Sequence, residues 1–256
     1  MNPELIVKAS LDIGAAMLKA GAETVRVEDT ISRICRSYYN GHLDVTSYLS
    51  AIFVSMEVTN WNEQTGSPMI VSQHRRVINV SNDLRKLEEL NALSRYVCEH
   101  TPEPEEINAR LQEILLTAPS PIVVLIGYLC IAFGFTVFFG GSILDALCCS
   151  VIGVGIYFLD QYIKPRLNNE LIHTFVLSFL CGMPACLLQL STIPIHLDKI
   201  MIGNVMLLIP GLALTNSLRD LLTGDIVSGS LKLLNSLLLA VAIALGFALS
   251  MVLTGV

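Results

Sequence analysis

A run of polar and helix-breaking residues sits inside one apolar stretch of this 256-residue chain, from Gly203 to Asp220. Pro210 has no N–H and cannot bond back to the carbonyl of Met206. Gly211 lowers the cost of leaving helical angles. A helix broken at this point exposes a carbonyl before the break and N–H groups after it, and such half-helix ends bind carboxylates. Asn204 lies before the break, and Thr215 and Asn216 lie after it. Their side chains can donate to or accept from an amino-acid backbone or a hydroxyl. Arg219 follows Asn216 by three residues, shares its helix face and can guide a carboxylate. These six residues (Asn204, Pro210, Gly211, Thr215, Asn216 and Arg219) form the candidate substrate path. A plain proline kink with interhelical amide bonds is the simpler alternative.

Three aspartates are candidates for coupling or gating. Asp220 and Asp225 flank the Thr223-Gly224 turn, within reach of Arg219 or Lys232. Asp145 follows a Gly140-Gly141-Ser142 turn and enters an apolar segment. It is either a first-turn carboxylate favoured by the helix N-terminus or a proton-titrating or substrate-facing acid, because ionisable groups at membrane depth are costly. A fourth charged feature, Glu23 to Asp29, supplies Glu23, Arg26, Glu28 and Asp29 near the start of a helix. It is either a capped, solvated face or a polar contact surface at the mouth of the membrane part.

Other chemistries find no support. The seven cysteines contain no CxxC pair, and the five histidines show no metal-ligand spacing, so neither metal nor cofactor is expected. No phosphate loop or nucleophile elbow is present, which argues against an enzyme. The net charge of −6 gives no basis for nucleic-acid binding. The N-terminal residues lack the basic and apolar regions of a signal peptide.

The elements that must position these residues divide sharply. The chain is 53% hydrophobic with a mean hydropathy of +0.62. Residues 1–118 hold 11 Lys/Arg and 16 Asp/Glu, whereas residues 119–256 hold 5 and 6. The reading is a soluble cytoplasmic α+β domain over 1–118 and a membrane domain with five transmembrane helices over 119–256. In the first part, 3.6-residue periodicity predicts helices over 5–20 and 23–38, with Gly21 as a C-cap. Residues 46–58 alternate as one strand, or as two broken near Ser50, with Ile52, Val54, Met56 and Val58 on one face. Asn62 to Gly66 reads as a turn. Met69 to Val80 reads as one or two strands interrupted by His74-Arg75-Arg76. Ser81 or Asn82 is expected to cap a helix running to about Cys98, and a short helix follows over 105–116.

Five apolar segments follow, at about 122–140, 143–159, 171–190, 201–218 and 231–253, each long enough to cross a core of about 30 Å. Lys164 and Arg166 lie in one short loop, Arg219 and Lys232 in another, and Lys199 alone on the opposite side. The positive-inside rule then places the N-terminus in the cytoplasm and the C-terminus outside.

The combination of Gly21 to Thr30, the Gly-Gly-Ser turn, Pro210-Gly211, Thr215-Asn216, Arg219-Asp220, Gly224-Asp225 and Ser228-Gly229 resembles the threonine/serine exporter family. In particular it is similar to the longer subunit of two-subunit members. The resemblance covers essentially the whole chain. It implies a bacterial inner-membrane secondary exporter with a cytoplasmic domain ahead of its spans. Single-chain members have about ten spans, so it also implies a shorter all-membrane partner subunit, alongside further copies of this chain and the lipid bilayer. The function expected is proton-coupled, alternating-access export of threonine- or serine-like amino acids. Alternatives are export of C4-dicarboxylates such as succinate, or a non-transporting regulatory membrane subunit.

Overall fold

The computed structural model describes residues 2–58, 69–78, 80–167, 169–191 and 193–256. The turn read at Asn62–Gly66 lies outside the described residues. Among the described residues the chain is mostly helical, with one small sheet. The described residues form two compact units, residues 1–118 with 212–233, and residues 119–211 with 234–256.

The first unit begins with α1 (Pro3–Lys19) and α2 (Thr24–Tyr38). Asn2 caps α1 by accepting the Glu4 N–H. The helix ends in a Schellman motif, in which Ala22 N bonds to Met17 O and Gly21 N to Leu18 O. Gly21 has a φ of 92°, the left-handed conformation that glycine adopts without a Cβ clash, so the sequence reading of this cap holds. Three antiparallel strands follow in the order β1 (Leu43–Tyr48), β2 (Ala51–Val58) and β3 (Met69–Arg76). The chain does break between β1 and β2, at Leu49-Ser50, and Val45 faces Val54, which faces Gln73. Ile52, Val54, Met56 and Val58 are buried with Met17, Ile31 and Ile34 in one core. Fully burying side chains of this size stabilises by roughly 1.5–3 kcal/mol each.

Two local expectations are corrected. His74, Arg75 and Arg76 do not interrupt β3. Arg75 reaches Asp12 of α1 at 2.5 Å, and His74 stacks on Phe53 on the outer face, so both polar groups find partners without leaving the strand. The next helix, α3 (Leu84–His100), is capped by Asp83, whose Oδ1 accepts the Lys86 N–H at 3.0 Å. Ser81 is not the cap because its N–H and hydroxyl both bond to Lys19 O at the end of α1. Thr101 closes α3 with a φ of 43°, and α4 (Pro104–Leu116) follows.

The apolar part contains α5 (Pro121–Phe138), α6 (Ile143–Ile163), α7 (Glu170–Gln189), α8 (Leu197–Leu208), α9 (Gly211–Leu222) and α10 (Ile226–Thr254). Four of these are long and apolar enough to cross a membrane. The pair α8 and α9, interrupted at Ile209-Pro210, makes a fifth candidate span. In the second unit, Ala132, Cys149, Ile152, Ile156, Leu177, Cys181 and Phe247 form the shared core. Close approach depends on small residues. A Cβ added at Gly203 of α8 would overlap Thr136 Oγ1 of α5 and Cys149 Sγ of α6. The outward residues of α5, among them Ile122, Val123, Ile126 and Val137, are exposed and apolar, as a lipid-facing surface requires.

Candidate functional site

The polar residues of α9 and of the α9–α10 turn converge on the turn between α1 and α2, all within the first unit. Asn216 Nδ2 donates to Gly21 O at 3.0 Å. One helical turn further along the same face, Arg219 Nη1 lies 2.5 Å from Glu23 Oε1. The Schellman cap explains how Gly21 can take part, because its reversal of the chain leaves this carbonyl free of α1. Glu23 occupies the N-cap position of α2 but makes no side-chain capping bond, so its carboxylate is available to Arg219.

Behind this pair lies a buried ion pair. Lys232 Nζ of α10 donates to Asp220 Oδ2 at 2.7 Å, with side-chain exposures of 11% and 1%. The second carboxylate oxygen, Asp220 Oδ1, is buried without a hydrogen-bond partner. The Asp220 carbonyl accepts Asp225 N at 2.9 Å, closing the turn in which Gly224 has a φ of 96°. Asp225 Oδ1 then accepts Ser228 N at 3.1 Å, in the manner of an N-cap for α10.

The two acids facing this turn are tuned in opposite directions. Burial alone would raise Asp225, but the Thr24 hydroxyl and the Ser228 N–H and hydroxyl outweigh it and hold the carboxyl below its ordinary value. Neither hydroxyl is aligned well enough for a full hydrogen bond, and both are otherwise unpartnered and buried. Their effect on Asp225 is therefore mainly that of nearby dipoles. Glu28 is raised by burial, which outweighs the bond from Ser47 N at 2.7 Å, and the charge of Asp225 adds to the rise.

The remaining sequence candidates make other contacts. Arg26 lines a shallow groove with Leu84, Glu88, Asn91 and Arg95, and Asp29 forms an exposed pair with Arg33 at 2.5 Å. In the second unit Asn204 is fully buried. Its Nδ2 donates to Ile200 O at 3.1 Å, and its Oδ1 has no partner. Asp145 is also fully buried, in a capping box with Ser142. It accepts from Ser142 N and Oγ at 2.8 Å each, from His196 N at 2.8 Å, and meets His196 Nδ1 at 3.0 Å. Pro210 lies in the interruption before α9, and Gly211, the first residue of α9, bonds through its N–H to Ile209 O at 2.9 Å.

The family described as "Putative threonine/serine exporter" (ThrE) matches residues 8–254 of this chain. The chain belongs to the threonine/serine exporter family. No curated protein and no solved structure matched it. With its long apolar helices, this member of the threonine/serine exporter family is a multi-pass membrane protein.

Sequence reasoning picked out Glu23 and Arg219 separately but did not pair them, and it missed His196 altogether. The available signal for His196 was a histidine just ahead of a helix in a chain that carries only five. Nothing in the local sequence links it to Asp145.

Proposed function

We propose that this chain is a subunit of a secondary-active exporter of small amino acids of the threonine/serine type. It works in the bacterial inner membrane with its N-terminus in the cytoplasm and its C-terminus outside. A soluble domain over 1–118 precedes a membrane domain over 119–256. Family membership supports the exporter class. The observation that carries the site is the engagement of Asn216 and Arg219 with Gly21 and Glu23.

In this reading the protein partners hold the place of the substrate. Glu23 offers Arg219 a carboxylate, and an amino acid brings one of the same chemistry. An incoming α-carboxylate displaces Glu23 from Arg219, and Asn216 exchanges the Gly21 carbonyl for a polar group of the solute. Arg219 suits this task because its charge is permanent and its fork accepts either carboxylate without a proton change. Thr215, Pro210 and Gly211 belong to the same stretch, where the missing helical bond allows the chain to bend. Asn204, with its unpartnered Oδ1, is a further polar position for the solute.

Export is driven by protons entering against the outward flow, by alternating access, with Asp145, Asp220 and Asp225 as coupling or gating groups. A shorter all-membrane partner subunit and further copies of the chain complete the transporter. The test is efflux of labelled threonine and serine from cells carrying the full chain and its candidate partner, with and without Asn216→Ala. Wild-type efflux that Asn216→Ala abolishes supports the reading. Efflux that only succinate competes with, and that amino acids leave untouched, turns it towards a dicarboxylate exporter.

A further inference from the structure

The second unit contains two histidines, His173 and His196, and its helix α6 contains two aspartates, Asp145 and Asp160. The structure pairs them one to one. His196 Nδ1 lies 3.0 Å from Asp145 Oδ2 at the first turn of α6. His173 Nε2 of α7 lies 3.1 Å from Asp160 Oδ1 in the last turn of α6. The aspartates are 15 positions apart, which at 1.5 Å per residue separates them by about 22 Å along the helix. α6 is long and apolar enough to cross a membrane, and a spanning α6 places the two pairs towards opposite faces.

The pairs differ in a way that bears on protons. Asp145 already accepts three hydrogen bonds besides its contact with the His196 ring, so its charge is fully solvated by the protein. Asp160 and His173 are more spare. Their side chains are 22% and 15% exposed, and His173 Nε2 is not aligned for a hydrogen bond with the carboxylate. The contact is therefore Coulombic and gains fully only when the imidazole carries a proton.

The surroundings leave this pair as the local acid–base centre. From α5, Tyr128 lies within electrostatic reach of Asp160, and its ring meets Tyr157 of α6 edge-on at 5.5 Å. Of the charges beyond the end of α6, Lys164 is exposed and Arg166 is drawn over the Tyr162 ring at 3.6 Å. Glu170, one turn before His173, is exposed. The later half of α8, from Gly203, and α10 from Leu234 onward carry no ionisable residue.

We propose that Asp160 and His173 form a proton-binding site at one end of α6, opposite the Asp145–His196 pair at the other. The proton adds to the imidazole nitrogen lone pair, giving an imidazolium beside the Asp160 carboxylate. It leaves from the same atom to water, with no other bond changed. The inference rests on the proton-coupled reading above and names a residue pair for it.

The experiment measures two rates in vesicles containing the full chain with its partner: export driven by an imposed pH gradient, and substrate-for-substrate exchange at equal pH. His173→Gln and Asp160→Asn should lower the ratio of driven export to exchange by about tenfold or more. His173→Arg keeps a positive charge beside Asp160 but cannot give up its proton, so it should flatten the pH dependence of driven export. A wild-type ratio in His173→Gln, or a wild-type pH profile in His173→Arg, overturns the proposal. Equal loss of both rates in all three variants, with unchanged melting temperature, also overturns it, because that marks a substrate contact. If wild-type export ignores the imposed gradient, the proton-coupled reading itself fails, and the proposal with it.

Discussion

Arg219 and Glu23 are separated by 196 positions in sequence, yet their side chains meet at 2.5 Å. The contact joins the second half of the interrupted span to the first turn of the chain. Arg219 is 60% exposed and Glu23 22%, so the pair contributes only about 0–1 kcal/mol to stability. Glu23→Gln should therefore leave the melting temperature nearly unchanged. Because it removes the internal competitor for Arg219, it should lower the substrate concentration at half-maximal export by roughly fivefold, the equivalent of about 1 kcal/mol. The concentration dependence of export reads this directly, and a raised half-maximal concentration contradicts the exchange of partners.

The Asp220–Lys232 pair obeys different energetics. With both side chains buried, removing the lysine leaves a carboxylate uncompensated. Lys232→Met should destabilise by about 3–5 kcal/mol. Adding Asp220→Asn to the same chain should recover part of that loss, since the unpaired charge disappears. Thermal unfolding in detergent for the two single variants and the double variant tests the coupling, and strictly additive losses count against it.

Asp225 gives stability a pH dependence of definite sign. Its carboxyl is held below the ordinary value of 3.8 in the folded chain. It therefore contributes stability that is fully present above 3.8 and is lost as pH falls through the lower, folded-state value. The melting temperatures of wild type and Asp225→Asn should differ near neutral pH and approach each other as the solution is acidified into that range. Glu28 acts in the opposite sense. Its value is raised above 4.5, so its ionisation weakens the fold as pH climbs past that point, and Glu28→Gln should remove this loss.

Gly203 tests the packing of the second unit. An added methyl group has nowhere to go between Thr136 and Cys149, and the Ala132 carbonyl lies 3.1 Å from its position. Gly203→Ala should destabilise by about 1–3 kcal/mol. Thr136→Ala in the same chain should restore part of the loss by vacating the nearest atom. Melting curves of the two variants are the measurement.

Much of the local structure was legible because short-range physics decides it. The alternation of Ile52, Val54, Met56 and Val58 fixes which face of β2 is buried, and Gly21 follows from the backbone reversal it must make. Pro210 interrupts the apolar stretch where its missing N–H requires it. What stayed hidden depends on partners distant in sequence. Ser81 looks like a cap until Lys19 O claims it, and His74-Arg75-Arg76 looks like a break until Asp12 supplies an ion-pair partner. The local pairing of Asp220 with Lys232 was within reach of the sequence, but the contacts to Gly21 and Glu23, about 200 positions away, were not. Asn216, Arg219 and Asp225 share a neighbourhood with Gly21, Glu23 and Thr24.

The central claim is that Arg219 exchanges Glu23 for the carboxylate of an exported amino acid. The most direct measurement is efflux of preloaded threonine and serine from cells carrying wild type, Arg219→Gln or Arg219→Lys, at matched membrane levels and melting temperatures. The account predicts efflux from wild type, none from Arg219→Gln, and a reduced rate from Arg219→Lys, whose point charge lacks the fork. Efflux from Arg219→Gln at the wild-type rate would contradict it.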